Sequence, residues 1–273
     1  MKILEPKTED SFVYSCSSTS QWGYEQFIAE HVLAFQLSGE THIYHQQGTF
    51  VLKKNRLLLA HRNQFARTLK VPAADAEYKA VSIILKTEDL RKFAALNKIA
   101  SDKKYSGKNN VVLKPDAFLK SYFQSLVPYL EQPQRSNKRM AFSKIAEAIE
   151  LLLNIDPEFK HFLFDFGEPN KIDLEEFMLS NYRYNAPIEN FAKLTGRSLA
   201  AFKRDFVHVF DISPAKWLKE KRLAEAYQLI HHHDKKPSDI YLDLGFENLS
   251  HFYTSFKNKY GVTPTESLLI KNK

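Results

Sequence analysis

From His31 to Leu85 the apolar residues come in short runs rich in β-branched and aromatic side chains, broken by turn formers: "HVLAFQL", "SGE", "THIYH", "QQG", "TFVLKKN", "RLLLAHRNQ" and "YKAVSIIL". Six or more short strands at hairpin spacing within residues 11–85 predict an antiparallel sandwich or barrel. At Thr87 the period changes. "TEDLRKFAALNKI" sets Leu90, Phe93 and Ala94 on one helical face, with Thr87 as the expected N-cap. Two stronger helical patterns follow, one with Phe118, Tyr122 and Leu126 at i, i+4, i+8, the other with Phe142, Ile145, Ile149 and Leu152 at i, i+3, i+7, i+10. Pro133 ends the first. They read as a helical hairpin whose apolar face must be covered, either by the β domain or by a second copy of the chain. Gly167, Pro169 and Asn170 in "FDFGEPNK" then mark a connector, which places domains at 1–163 and 173–273 with a linker at 164–172.

Beyond the connector the pattern is wholly helical, and it repeats. "FKRDFVHVFDISP" (202–214) returns as "FYTSFKNKYGVTP" (252–264), so Phe202, Phe206 and Phe210 correspond to Phe252, Phe256 and Tyr260 as one inward aromatic stripe. Asp211 and Gly261 fall just past each helix, where a positive φ is often needed. "ISP" and "VTP" then supply a Ser or Thr N-cap and a Pro at the first position of a further helix. Each copy is preceded by a shorter helix and a glycine turn, Gly196 in one and Gly245 in the other, at an offset of 49, so the second turn is one residue longer. A short helix, a turn and a second helix with an aromatic inner face make a helix-turn-helix, and two in register are far more specific than one. Between them, Pro214 to Ile230 holds no Gly or further Pro. About 17 helical residues would span about 25 Å. This strut has two apolar stripes, Leu223, Tyr227 and Ile230 on one, Leu218, Ala226 and Leu229 on the other. It could hold two recognition helices near the roughly 34 Å between successive major grooves.

Composition adds bounds. With 273 residues and 44% hydrophobic content the chain can build two cores. Its single cysteine, Cys16, excludes an internal disulfide, the opening "MKILEPKTEDSFVYSC" has no run of signal-peptide length, and no stretch approaches the roughly 20 apolar residues of a membrane span. The expectation is a soluble cytoplasmic protein. The net charge of +7 fits a polyanionic partner but is shared between the halves, +4 before Lys171 (23 basic, 19 acidic) and +3 from it onward (16 basic, 13 acidic), so it locates no site.

The stretches "LTGRSLAAFKRDF", "SPAKWLKEKRLAEA", "SDIYLDLGFENLSHFYTSFK" and "GVTP" make residues from about Lys171 to Ile270 resemble the DNA-binding domain of the AraC/XylS family of bacterial transcription regulators, in wording similar to its ExsA-like branch. Through the less specific "SGETHIYHQQGTFVLKKNRLLLAHRNQ", the N-terminal part looks like that family's cupin-type sensing domain. The resemblance implies an α+β chain: a cupin-like antiparallel β-barrel with a helical hairpin, then an all-α domain of two helix-turn-helix units joined by a long helix. It implies a sequence-specific regulator, most simply an activator and not an enzyme. Its partners would be double-stranded DNA and RNA polymerase, with a small molecule or regulatory protein at the N-terminal domain and a homodimer through the hairpin.

With Phe202 and Phe206 inward, Ala200, Lys203 and Arg204 lie on the outer side of the first recognition helix (about 198–210), where the resemblance places base contacts. Arg can pair bidentately with guanine. The alternative is that Arg204 pairs with a nearby acid on a solvated face. Ser198 reads as the N-cap. In the second (about 248–260) the same logic gives Ser250, His251, Thr254 and Lys257, with Asn258 beyond. Thr254 departs from the Arg that many family members carry, which turns the expectation for this half toward backbone contact. His251 either reads DNA or packs against the turn. No cofactor or metal is expected: His231, His232 and His233 point about 100° apart on a helix, and His42 and His45 fall on opposite faces of a strand, with His31 and His61 elsewhere in the presumed barrel. Trp22, Tyr24, Phe35, Tyr44 and Phe50 could line a ligand pocket or be ordinary core.

Overall fold

The computed structural model describes residues 11–23, 27–45, 48–167 and 171–271. The chain divides into two compact units, Met1–Gly167 and Glu168–Lys273. Tyr24 and the "EPN" of the expected connector lie outside the described residues.

The first unit runs β1 (Phe12–Ser17), β2 (Gln21–Trp22), β3 (Phe27–Ile28), β4 (His31–Ser38), β5 (Glu40–His45), β6 (Gly48–Leu52), β7 (Leu57–Ala60), β8 (Gln64–Val71) and β9 (Tyr78–Leu85). Then come α1 (Thr87–Asn97), β10 (Asn110–Leu113), α2 (Ala117–Ser125), α3 (Val127–Glu131), α4 (Lys138–Ile155) and α5 (Phe159–Phe164). One sheet has the order β1-β9-β4-β7-β10 and the other β2-β8-β5-β6, with β3 also on β8, and the pairings are antiparallel. The period of two in β4 explains the layering. Leu33 and Phe35 face the helices, where they join Leu57, Leu59, Val81 and Ile83 in a core with Leu90, Tyr122, Ile149 and Phe162. Val32 and Ala34 face the second sheet and pack with Ile43, Leu52, Leu58 and Ala66. A sheet covered on both faces reads as an unbroken apolar run, as "LLLA" of β7 does.

Three local expectations are corrected. Thr87 is the first residue of α1 and not its cap, which is Lys86; the helix start is satisfied from outside, by the Glu30 carboxylate accepting from Thr87 N (2.9 Å) and Thr87 Oγ1 (2.6 Å). A carboxylate suits that end because of its free N–H groups and dipole. In α2 the buried face is Leu119, Tyr122 and Phe123, continued by Leu126 at the helix's C-cap, and Phe118 is 71% exposed. The inner faces of α2 and α4 are spent on the sheet, and Tyr122 Oη donates to Lys144 O (2.8 Å) across the hairpin. Phe164, read as the start of the connector, is buried with Phe93 stacked 6.1 Å away, because it closes α5 onto the core.

The second unit is helical: α6 (Leu174–Asn181), α7 (Ile188–Leu194), α8 (Leu199–Phe210), α9 (Pro214–His233), α10 (Pro237–Ile240), α11 (Leu249–Tyr260) and α12 (Pro264–Lys271). The strut, α9, is unbroken over 20 residues, about 30 Å. Its apolar residues do not divide into two lengthwise stripes. They divide end to end: Trp217 packs on Phe206 and Phe210 (5.7 and 4.7 Å), whereas Leu223, Ala226, Ile230, Tyr227 and Leu229 all belong to the cluster around Phe252 and Phe256. A helix shared by two bundles set along its axis needs its faces in sequence rather than in parallel.

Candidate nucleic-acid interface

In the first half, α7 closes on itself through Thr195, whose Oγ1 donates to Phe191 O (3.0 Å) and Ala192 O (2.9 Å), and Gly196 makes the turn at φ 65°. Arg197 is internal to the fold: its guanidinium donates to Ile172 O (2.9 Å) and Thr195 O (2.8 Å), and its Nε meets Asp205 Oδ2 at 3.2 Å. Ser198 Oγ accepts from Ala201 N (3.3 Å), the N-cap expected of it. Phe202 and Phe206 are fully buried, which turns Ala200, Lys203 and Arg204 outward, all three exposed.

Arg204 is 78% exposed and its Nη2 lies 3.4 Å from Asp205 Oδ1, so the neighbouring acid is present. That acid is already engaged. Arg197 first and Lys171 second hold the Asp205 carboxyl below the usual carboxylate range. An exposed Arg on a carboxylate with two other cations gains little from it, and its fork remains available. A further member of this outward stripe escaped the sequence reading. Val207, 47% exposed, continues the 200–203–204 stripe by one turn, and extending the i, i+3, i+4, i+7 count on the polar side would have found it.

The second half repeats these devices with other residues. Gly245 makes the turn at φ 79°, Asn248 Oδ1 caps α11 by accepting from His251 N (2.8 Å), and Phe252 and Phe256 are fully buried. Ser250, His251, Thr254 and Lys257 are exposed, as is Asn258. His251 packs against the turn, its ring 6.1 Å from Phe246, and the residue stays exposed. Tyr253, where the first half has Lys203, is tied down by a 2.7 Å bond to Thr265 Oγ1. Both helices end in the left-handed region, at Asp211 (φ 59°) and Gly261 (φ 78°), and α9 and α12 both start on proline. Thr263 and Glu266 form a capping box, with Thr263 N on Glu266 Oε2 (2.7 Å) and Glu266 N on Thr263 Oγ1 (3.2 Å).

The other candidates disperse. His231 is half-buried, stacked on Tyr227 (4.1 Å) and bonded to Ser267 Oγ (2.6 Å), while His232 and His233 are exposed. In the first unit Trp22 and Tyr44 pair at 5.5 Å with Arg67 over the indole, Phe50 packs between the sheets, and Phe35 lies on the helix side, so the four are divided among three separate sets of contacts. His31 and His61 sit edge to face at 4.6 Å beside the Arg62 guanidinium, which donates to Asp165 O (2.9 Å). Burial, then His61 and Arg62, hold the His31 imidazole well below its ordinary value, and burial lowers His61 as well. Only two imidazoles meet there among the described residues, and the Arg62 cation beside them opposes a further positive charge. His42 has a carboxylate neighbour the sequence reading overlooked, Glu40 at 2.6 Å, since residues two apart on a strand share a face. Among the described residues no three His, Cys, Asp or Glu side chains are placed to hold a metal, and no helix is long and apolar enough to cross a membrane.

Comparison with known proteins follows the same division. The profile of a helix-turn-helix domain matches residues 191–268, and that of the ExsA N-terminal regulatory domain matches residues 31–162. The virulence regulon transcriptional activator VirF of Yersinia enterocolitica is 35% identical over 98 residues, 36% of each chain. The HTH-type transcriptional regulator ExsA of Pseudomonas aeruginosa is 33% identical over 94 residues, 34% of each. The match thus spans about a third of the length of these curated relatives. A solved variant of apo ToxT from Vibrio cholerae aligns over 97% of this chain and 99% of its own at 13% identity and a TM-score of 0.47. With one profile on each unit and these relatives on the second, the matches support an AraC-family transcriptional regulator of the branch that holds ExsA and VirF.

Proposed function

We propose that the protein is a sequence-specific DNA-binding activator that inserts α8 and α11 into successive major grooves on one side of a duplex. The observation that carries this reading is the pair of like helix-turn-helix units on one unbroken α9, with all seven candidate residues, Ala200, Lys203, Arg204, Ser250, His251, Thr254 and Lys257, exposed. Arg204 reads guanine through its fork, Lys203 reaches guanine or phosphate, and Ala200 and Val207 offer apolar contact to a thymine methyl group. In the second half Ser250, His251 and Thr254 supply short polar contacts and Lys257 grips a phosphate. In the same reading the N-terminal unit receives a small molecule or a regulatory protein that biases DNA binding, and RNA polymerase is the target of activation. Two copies meet on the outer face of the hairpin, where Phe118 stands exposed; sedimentation of a Phe118→Glu variant that matched the wild type would remove that contact.

Selection of bound duplexes from a random pool tests the core of the proposal. It should return a two-part site with half-sites about 10 base pairs apart and an affinity that falls steeply with salt. Replacing thymine by uracil at the positions facing Val207 should weaken binding slightly. A pool with no preference over random duplex at any ionic strength would overturn the reading.

A further inference from the structure

Arg222 stands midway along α9, at the hand-over between the two bundles, and none of the contacts above uses it. Its guanidinium makes three hydrogen bonds, and all three acceptors are main-chain carbonyls. Nε donates to Tyr182 O (2.7 Å) and one terminal nitrogen to Tyr184 O (2.8 Å), both just past the C-terminal end of α6. The other terminal nitrogen donates to Gly245 O (3.0 Å), in the turn of the second helix-turn-helix. Helix α6 belongs to the first bundle, since it packs on α8 and its Phe177 ring lies 6.5 Å from Phe191. One side chain therefore joins the segment that follows α6 in the first bundle, the strut, and the turn that aims α11.

The surroundings are shaped to the guanidinium. A Cβ at Gly245 would lie 3.0 Å from both Arg222 Cζ and Nε and 2.4 Å from Arg183 O, so glycine is required there for close approach as well as for its φ of 79°. No carboxylate pairs with Arg222 in any described contact, and burial lowers its pKa to about 10, so the site accepts a charged group at a desolvation cost in order to hold three carbonyls. Next to it Glu225 fastens the same α6 end by another route, accepting from Tyr182 Oη (2.7 Å) and from the guanidinium of Arg183. Glu225 reaches α6 alone, whereas Arg222 reaches both bundles.

We infer that Arg222 is a positioning residue that fixes the two recognition helices relative to each other. On the DNA-binding reading, on which this last step rests, it thereby sets the half-site spacing the protein accepts. The first test needs no DNA. Spin labels at His208→Cys and Asn258→Cys, exposed and equivalent positions on α8 and α11, in a full-length Cys16→Ser chain, report the inter-helix distance by pulsed EPR. The parent should give one narrow distribution and Arg222→Met a broad or multiple one. A distribution unchanged by Arg222→Met overturns the inference.

The second test uses the duplex selected by the wild-type protein, with one base pair inserted between the half-sites, a shift of about 3.4 Å. The wild type should lose about tenfold or more in affinity and Arg222→Met about threefold or less, while both bind a single half-site equally. Equal spacing penalties overturn the role in spacing. Failure of the wild type to select any site overturns the DNA reading and leaves the EPR result to decide the clamp. Should Arg222→Met not give a folded circular-dichroism spectrum, Arg222→Lys takes its place in both tests. It keeps the charge and stem but cannot reach three carbonyls from one nitrogen.

Discussion

The two helix-turn-helix halves have nearly the same interior and different exteriors. Phe202 and Phe206 match Phe252 and Phe256 in place and in complete burial, and Ser198 matches Asn248 as a cap. Outside, Arg204 and Val207 face Thr254 and Lys257 at equivalent positions. One half presents a fork and a methyl-sized apolar surface; the other presents a short hydroxyl and a mobile point charge. Even Asp205, which gathers Arg197 and Lys171 in the first half, is replaced by the buried Ser255 in the second. The lesson is that packing confines the inner stripe to aromatic residues while the outer stripe is free to differ, which on the proposed function assigns base reading to α8 and backbone contact to α11.

The severest test of equal interiors is Phe206→Ala beside Phe256→Ala. Each should cost about 3 to 5 kcal/mol, measured by chemical denaturation. Trp217, against Phe206 and Phe210, reports the first half by fluorescence, so Phe206→Ala should alter its native signal and Phe256→Ala should leave it in place. If both mutants changed it alike, the halves would not be separate packing units.

Unequal exteriors are tested next. Arg204→Ala should cost about 1 to 3 kcal/mol of binding and relax preference at one base pair, whereas Lys257→Ala should weaken all sequences alike and reduce the salt slope by about one. Quantitative binding to a panel of single-base variants separates the two patterns. Unchanged affinity and selectivity in Arg204→Ala would take Arg204 out of the interface.

The smallest effects belong to the helix ends. Gly261 and Asp211 share a left-handed backbone, and a Cβ at Gly261 meets nothing within 4 Å. Gly261→Ala should therefore destabilise through backbone strain alone, by about 1 kcal/mol, while Asp211→Gly should change stability by less than about 0.5 kcal/mol because relief of strain is offset by a freer unfolded chain. Denaturation midpoints decide it. A neutral Gly261→Ala would mean that the two stops are not built alike.

Much of this was legible in the amino-acid order because it depends on contacts within one turn or across one hairpin. The Ser198 and Thr263 caps, left-handed stops, prolines at helix starts, the aromatic stripe and the outward positions beside it follow from local pattern, whereas Ser213 caps α9 by position without a side-chain bond. The strands from His31 to Leu85 were visible for the same reason. Reading failed where a residue's partner is distant in sequence. Phe118 fits the α2 stripe but stands outside it because the sheet meets the helix on the Leu119 side, and Thr87 looks like a cap until Glu30, 57 residues away, supplies one.

By itself, then, the sequence determined two helix-turn-helix units of one design, their outward residues and an antiparallel β region before them, since side-chain period and backbone preference are properties of short segments. Tertiary structure alone decided the strand order, which helix face meets which sheet, the end-to-end division of α9 and the grip of Arg222 on carbonyls 23 to 40 residues away. Main-chain acceptors carry no residue identity, so no pattern of letters announces which guanidinium will find them.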